Sequence, residues 1–405
     1  MKRIFTLIIC TVAFGNLAFP QADCTGGRYT DYDMFSGADV TSAITFGNNA
    51  SLNGTPVDLK MDVYQPTGDT ETNRPVIVLA FGGSFVSGTR GDVAFLCNIF
   101  AKLGYVAVAP DYRVGLFQPN QLSTTLAVVR GAHDIKACVR FLKKSVAEEG
   151  NPYGIDCSRI IVGGISAGAI AAVHAAYLDK TSEVPSYMDG AIDGIGGIEG
   201  NSGTLEYPSD VIGVLSFSGA VGDTMWIESG DAAIVSVHEE LDGTVPYLTQ
   251  EVSVFNIPTG LVASGSGDLH KRANNVGLTN ELKTYFGVEN HVGYLNPIDQ
   301  AAMDFATSFL AQVVCSGETN ACSSVGISEV ERNSITLYPN PTTDILNFNS
   351  EETATIEVID ATGRIVISTV SRFGQNRLDV SLLPTGVYTL RSIGKQISTA
   401  HFVKN

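Results

Sequence analysis

The sequence predicts an α/β fold, a mostly parallel sheet with helices on both faces, followed by a small all-β sandwich. Uninterrupted apolar runs at 75–80, 105–110 and 160–162 are typical of strands buried on both faces, and helical stretches separate them. Beyond residue 334 the chain has only short alternating strands with turns between them, which predicts the sandwich. We therefore expect an α/β domain over 23–314, a linker over 315–333 and a sandwich domain over 334–405.

The first 22 residues predict a signal peptide. Lys2 and Arg3 form its charged start, residues 4–19 are nearly all apolar, and Ala18 and Ala22 offer cleavage sites. The apolar stretch is shorter than the ~20 residues that cross a bilayer, and no other stretch approaches that length. We expect a soluble, exported mature chain without a transmembrane segment.

The charge balance limits the choice of partners. A formal net charge of −17 disfavours nucleic acid and anionic membrane surfaces, because phosphate contacts need clustered Lys and Arg. Hydrophobic residues make up 44% of the 405 residues, which is enough for one large core and one smaller core. No nucleic-acid partner is therefore predicted.

The other elements of the α/β domain follow from their periodicity. Residues 57–63 alternate between apolar and polar, which predicts an antiparallel strand with one solvated face. Further strands are predicted at 211–217, 232–237 and 281–286, and helices at about 93–103, 123–147, 169–177 and 298–314.

Six cysteines follow the predicted signal peptide. An even count in an exported chain favours disulfides, and no C-x-x-C spacing suggests a metal or redox site. The pairs nearest in sequence are Cys315 with Cys322 and Cys138 with Cys157, although Cys97 and Cys138 fall on predicted helices and also fit small buried residues. The six are Cys24, Cys97, Cys138, Cys157, Cys315 and Cys322.

Ser166 lies on a predicted tight turn between a buried strand and an alanine-rich helix. Gly164 and Gly168 flank it in the pattern G-x-S-x-G, and small neighbours allow the backbone to turn sharply. The spacing alone also fits an ordinary glycine turn with a solvated serine. The strand before and the helix after it favour a nucleophile whose hydroxyl projects from the sheet.

A second glycine turn, at 81–85, follows the apolar strand at 75–80. Acyl transfer through serine creates a tetrahedral oxyanion that backbone N–H groups stabilise. We predict the amides of Gly83, Ser84 and Ala167 as donors of this oxyanion hole. The alternative is a plain glycine loop after a strand.

A catalytic serine needs a base and an orienting carboxylate further along the chain. His238 and Glu239 begin like a zinc-binding H-E-x-x-H helix, but Asp242 stands where the second histidine is required, so no metal site is predicted. Asp242 precedes a glycine turn after a buried strand and is the predicted carboxylate, with Glu239 and Glu240 as alternatives.

Two histidines are candidates for the base. His291 lies on the loop between the last predicted strand and the last helix, and His270 heads a helical stretch at 268–275. His133 and His174 fall within helices, and His401 lies in the sandwich domain, so these three are less suited to the role.

Residues of about 24–314 resemble an α/β-hydrolase of the carboxylesterase/lipase group. The resemblance rests on the motifs at 82–85, 111–113, 164–168 and 242–246 and on His291. It implies that Ser166 is the nucleophile, His291 the base and Asp242 the residue that fixes the imidazole tautomer. Phe81 departs from the histidine often found before the paired glycines, and Glu239 departs from the glycine often found after the histidine at position 238.

This resemblance implies a serine esterase that cleaves carboxylic esters through an acyl-enzyme, without a metal or organic cofactor. The substrate would be a small-molecule or polysaccharide-linked ester. Two alternatives remain open: a catalytically inactive binding module of the same fold, and a peptidase. The glycine-rich segment 179–210 interrupts the regular pattern and fits either a cap over the site or an inert surface loop.

Residues 334–405 resemble the C-terminal sorting domain of type IX secretion substrates. The motif Tyr-Pro-Asn-Pro at 338–341 is the distinctive part of the match. The resemblance implies binding to the type IX secretion machinery and export through the periplasm and outer membrane, to a secreted or cell-surface location. A carbohydrate-binding or adhesive sandwich is the alternative.

Overall fold

The computed structural model describes residues 22–317, 319–322, 337–350, 353–360, 364–393 and 397–405. The predicted signal peptide, apart from Ala22, lies outside these ranges, as does most of the predicted linker. The chain divides into two compact units, Met1–Ser324 and Val325–Asn405, which are described separately.

An eight-stranded sheet is the centre of the first unit, with strand order β1-β2-β4-β3-β5-β6-β8-β11. Strands β1 and β2 pair antiparallel to their neighbours, and the remaining pairs are parallel. A small second sheet has the order β7-β10-β9. The strands are β1 (Ala38–Ala50), β2 (Pro56–Pro66), β3 (Arg74–Ala80), β4 (Val106–Pro110), β5 (Ile155–Ile165), β6 (Gly213–Phe217), β7 (Ala220–Val221), β8 (Ala233–Glu239), β9 (Thr249–Val254), β10 (Ile257–Gly265) and β11 (Asn280–Tyr285).

Helices cover this sheet. Every residue of β3, β4, β6 and β8 is buried, which requires cover on both faces and explains why these strands are mainly apolar. No helix in the described part of the chain is both long and apolar enough to cross a membrane. The helices are α1 (Ala94–Lys102), α2 (Gln121–Glu148), α3 (Ala167–Tyr177), α4 (Ser266–Val276) and α5 (Gln300–Cys315). The predicted mostly parallel α/β fold is confirmed.

The second unit is all β, as the short alternating strands predict. One sheet pairs β12 with β15, and the other has the order β14-β13-β16-β17. Its core includes Leu346, Phe348, Ile356 and Leu390. The strands are β12 (Ile345–Ser350), β13 (Thr355–Ile359), β14 (Ile365–Val370), β15 (Gly374–Asp379), β16 (Gly386–Ile393) and β17 (Ile397–Lys404).

The disulfide pairs differ from those nearest in sequence. Cys24 bonds to Cys315 and Cys157 to Cys322, with Cα–Cα distances of 6.1 and 5.4 Å. The expected pairs Cys315–Cys322 and Cys138–Cys157 are therefore wrong, because the fold brings distant segments together at the end of α5. Cys97 and Cys138 are free and buried, which matches the alternative of small core residues.

We expect the double substitution Cys24→Ser, Cys315→Ser to lower the free energy of unfolding by about 2 to 5 kcal/mol, since the bond joins residues 291 positions apart and restricts the unfolded chain. Urea denaturation measures the change. As a control, thiol titration of the denatured, unreduced chain that begins after residue 22 should find only the thiols of Cys97 and Cys138. An unchanged denaturation midpoint in the double variant would contradict this expectation.

Candidate active site

Ser166 occupies the junction between β5, which ends at Ile165, and α3, which begins at Ala167. Its backbone has a φ of +54°, a strained conformation for a non-glycine residue. Its amide donates to the carbonyl oxygen of Phe217 at 2.8 Å, which fixes the turn against the neighbouring strand. The side chain thus lies at the carboxyl end of the sheet.

The two glycines of the G-x-S-x-G motif allow this turn to pack against β3. A Cβ atom at Gly164 would lie 2.5 Å from the carbonyl oxygen of Ala80, and one at Gly168 would lie 2.2 Å from the same atom. Any side chain at either position would push the serine turn away from the sheet.

We expect Gly168→Ala to lower the free energy of unfolding by about 1 to 3 kcal/mol, because the backbone oxygen it meets cannot move without displacing β3. Denaturant unfolding measures the loss. Gly194→Ala is the matched control, since a Cβ there has nothing within 4 Å, and we expect it to leave stability within about 0.5 kcal/mol. Equal stability of the two variants would contradict the packing argument.

Three predicted site residues lie in one hydrogen-bonded line. The Nε2 atom of His291 is 2.8 Å from Ser166 Oγ, and its Nδ1 atom is 2.6 Å from Asp242 Oδ2. Asp242 lies on the loop after β8 and His291 on the loop between β11 and α5. Ser166 and Asp242 are buried, whereas the imidazole is about one-fifth exposed. Solvent therefore reaches this arrangement mainly at the imidazole.

Asp242 is held as an anion by its surroundings. Its Oδ1 atom accepts the amides of Thr244 at 2.8 Å and Val245 at 3.0 Å. Burial favours the neutral acid, but hydrogen bonds from His238 and His291 outweigh it and hold the pKa of Asp242 well below its usual range. His238 is fully buried, and its Nε2 atom lies 3.4 Å from Asp242 Oδ2. His238 Nε2 also lies 3.2 Å from the carbonyl oxygen of Val245, to which it donates. Asp242 thus accepts hydrogen bonds from the His291 imidazole and two backbone amides, with the His238 imidazole close by.

Glu239 fastens the loop that positions His291. One carboxylate oxygen accepts the amide of Val292 at 3.0 Å, and the other accepts the amide of Gly293 at 2.7 Å. The side chain is buried at the end of β8. In the sequence, Glu239 stands out only because it replaces the glycine often found after the histidine at position 238, and because it is an alternative to Asp242 as the orienting carboxylate. Glu239 and the 291–293 loop are far apart in the sequence, so no sequence pattern indicates this contact.

The alternative base His270 and the alternative carboxylate Glu240 have hydrogen-bond partners other than Ser166 and His291. His270 is buried on α4, with hydrogen bonds to Ser236 Oγ at 2.8 Å and Asn280 Oδ1 at 2.7 Å. Burial lowers its pKa to about 4. Glu240 accepts the amide of Gly287 at 2.8 Å. The other histidines form hydrogen bonds away from Ser166 Oγ; they are His133, His174 and His401.

The loop after β3 lies directly against the serine. A Cβ at Gly82 would be 3.4 Å from Ser166 Cβ. Among the described residues, neither the amide of Gly83 nor that of Ser84 donates a hydrogen bond. The amide of Ala167, at the first turn of α3, has no intrahelical partner. Two of the three predicted donors, Ser84 and Ala167, line the same cavity as Ser166, whereas Gly83 does not.

Phe81 fixes the start of this loop. Its ring stacks on Tyr112 at a centroid distance of 4.2 Å, and the Tyr112 hydroxyl donates to the Phe81 carbonyl oxygen at 2.9 Å. Both side chains are buried. The departure from histidine at position 81 therefore leaves the loop anchored by aromatic packing.

A cavity of about 880 Å³ opens at Ser166. One wall comes from residues 180–187, at the start of the segment 179–210, and another from β9 and β10. The later part of that segment is fixed to α2, where Lys136 and Arg140 contact Glu199 and Lys143 contacts Asp210. The glycine-rich segment thus forms part of the cavity wall.

Comparisons with known proteins give one family match in each of the two compact units. Residues 61–221 match the family model described as BD-FAE, and residues 336–404 match the model described as Secretion system C-terminal sorting domain. The search of curated proteins finds no match.

Solved structures similar to the chain include two of esterase 2 from Thermogutta terrifontis. The enzyme phosphoramylated by tabun is 22% identical, with 69% of this chain and 96% of that chain covered and a TM-score of 0.48. The propionate-bound form is 20% identical, with the same coverage and TM-score.

The two family matches describe different parts of the chain, 61–221 and 336–404. The sorting-domain match indicates type IX secretion to the cell surface or the extracellular space. The chain therefore combines an esterase-like α/β-hydrolase domain, matched as BD-FAE over 61–221, with a C-terminal secretion sorting domain.

Proposed function

We propose that this chain is a secreted serine carboxylesterase with Ser166, His291 and Asp242 as its catalytic triad. The observation that supports this most strongly is the pair of contacts on one imidazole, 2.8 Å to Ser166 Oγ and 2.6 Å to Asp242 Oδ2. A carboxylate on Nδ1 fixes the proton there, so that Nε2 is free to accept the serine proton.

In the proposed reaction, Ser166 Oγ attacks the ester carbonyl carbon while His291 Nε2 takes its proton. The amides of Gly83, Ser84 and Ala167 stabilise the negative oxygen of the tetrahedral intermediate. The intermediate expels the alcohol, which receives the proton from His291. Water, deprotonated by His291, then attacks the acyl-enzyme and releases the acid and Ser166.

The proposed substrate is a small-molecule or polysaccharide-linked ester, which an exported enzyme meets outside the cell. The cavity at Ser166 is open and large enough for a substrate with a bulky acyl or alcohol portion. We further propose that residues 1–22 are removed as a signal peptide, and that 23–314 form the catalytic domain, 315–333 a linker and 334–405 the sorting domain.

Hydrolysis of matched acyl derivatives tests the proposal. We expect the purified chain to hydrolyse p-nitrophenyl acetate and to leave the corresponding p-nitroanilide and a peptide panel intact. Turnover of peptides at a comparable rate would favour a peptidase. No turnover of any ester by a folded preparation would favour an inactive binding module.

A further inference from the structure

His174 lies on the same face of α3 as Ser166. Ser166, Ile170 and His174 follow one another at intervals of four residues, and all three line the cavity. At 1.5 Å per helical residue, His174 lies ~12 Å along the helix from the serine. The cavity therefore extends from the proposed nucleophile to this second imidazole.

The hydrogen bonding of His174 fixes its tautomer. Its Nδ1 atom is 2.8 Å from the carbonyl oxygen of Ile170. A carbonyl oxygen only accepts, so Nδ1 bears the proton. Burial lowers the pKa of His174 to about 4, which keeps the ring neutral at pH 7. The Nε2 atom is consequently a bare acceptor.

No described residue donates a hydrogen bond to this Nε2 atom. The edge of Trp226 packs against the ring at a centroid distance of 5.4 Å. Gly222 lies next to both rings, where a Cβ would be 3.3 Å from Nε2 and 2.6 Å from the Trp226 ring. His174 is 6% exposed and lines the cavity. An acceptor in such a place is almost always paired with a protein group or with water, and a substrate that displaces that water must offer a donor in its place.

The cavity wall around Ile170 is apolar. Ile170 packs with Ala220, Val245 and Ala263 in a small hydrophobic cluster, and all four line the cavity. A substrate arm that passes from Ser166 to His174 along α3 therefore contacts this hydrocarbon before it reaches the imidazole.

We propose that His174 Nε2 accepts a hydrogen bond from a hydroxyl or N–H at the far end of one arm of the ester substrate. This inference rests on the proposed esterase function and defines the substrate class further. The preferred ester has an apolar arm, bound along α3, that ends in a hydrogen-bond donor beside His174, whose backbone lies ~12 Å along the helix from that of Ser166. An arm of the same length without the donor leaves the buried acceptor unpaired.

Two pairs of esters test the inference, one for each arm. The acyl pair is the p-nitrophenyl esters of ω-hydroxyoctanoate and nonanoate, and the alcohol pair is the acetates of ω-hydroxyoctanol and nonanol. We expect the wild-type chain to favour the hydroxylated member of one pair by roughly tenfold in kcat/KM. His174→Phe, which retains an aromatic ring beside Trp226, should reduce that ratio to about one. The same change at His401, in the second unit, is the control and should leave the ratio at its wild-type value.

The outcomes separate this inference from the proposed function. If the wild-type chain hydrolyses p-nitrophenyl acetate but shows no preference in either pair, the role of His174 is wrong and the esterase stands. A preference that survives His174→Phe also overturns the inference. If a folded preparation hydrolyses no ester, the proposed function fails and the inference falls with it. The wild-type comparison can overturn the inference by itself, even where the His174→Phe variant does not fold.

Discussion

Ser166→Ala is expected to lower kcat/KM for p-nitrophenyl acetate by roughly 10⁴- to 10⁶-fold. Alanine removes the only atom that forms the acyl-enzyme bond, whereas the strained turn, the flanking glycines and the cavity stay as they are. The residual rate would come from substrate binding and the oxyanion-hole amides alone. Initial rates at several substrate concentrations measure the effect.

The exposed Ser36 offers a matched control, because Ser36→Ala removes the same hydroxyl from a residue outside the cavity. We expect its kcat/KM to equal that of the wild-type chain. A Ser166→Ala variant that unfolds at the wild-type denaturant concentration and still retains a tenth of the activity would show that another residue is the nucleophile.

Asp242→Asn is expected to lower kcat by roughly 10⁴-fold, with little change in fold. The side-chain oxygen of asparagine can still accept the amides of Thr244 and Val245. Its NH₂ group would then face His291 Nδ1 and donate to it. This moves the imidazole proton to Nε2, which must donate toward Ser166 Oγ and can no longer take its proton.

Glu240→Gln is the control for this substitution. Glu240 lies two residues from Asp242, and its carboxylate accepts the amide of Gly287 rather than contacting the imidazole. We expect its kcat to stay within a few-fold of the wild-type value. If Glu240→Gln caused the large loss and Asp242→Asn did not, the orienting carboxylate would be wrongly assigned.

The arrangement around Ser166 was predictable because its determinants are local. A buried apolar strand, a glycine-flanked serine and an alanine-rich helix follow one another within a few residues, and each pattern has a direct physical cause. The position of His291 followed from a general rule, since loops after parallel strands meet at one edge of the sheet. The structure brings these residues together, and their catalytic roles remain predictions that the substitutions above test.

Contacts between distant segments were not predictable in the same way. Cys24 pairs with Cys315, which lies 291 positions later in the sequence. Proximity in sequence had indicated other partners. Glu239 meets the His291 loop only because β8 and β11 are adjacent in the sheet. In each case the determinant is the tertiary arrangement, which spacing along the chain does not encode.

Two groups of strands also escaped prediction, for reasons of burial. Strand β1 lies at the edge of the large sheet, and most of its residues are exposed or half-buried, so the sequence lacks a hydrophobic period. The β9–β10 hairpin is similarly solvated, with Phe255 exposed at its tip. Nevertheless this hairpin provides a wall of the cavity, and it therefore bears on which esters fit.

The central claim is that Ser166 becomes acylated, and covalent labelling tests it most directly. The full chain is treated with one equivalent of a fluorophosphonate that reacts with activated serine, and intact-mass and peptide mass spectrometry locate the adduct. We predict a single adduct on Ser166, greatly slowed in the Asp242→Asn and His291→Ala variants, together with loss of esterase activity in proportion to labelling. An active chain that remains unlabelled, or an adduct on a different residue that abolishes activity, would contradict the account.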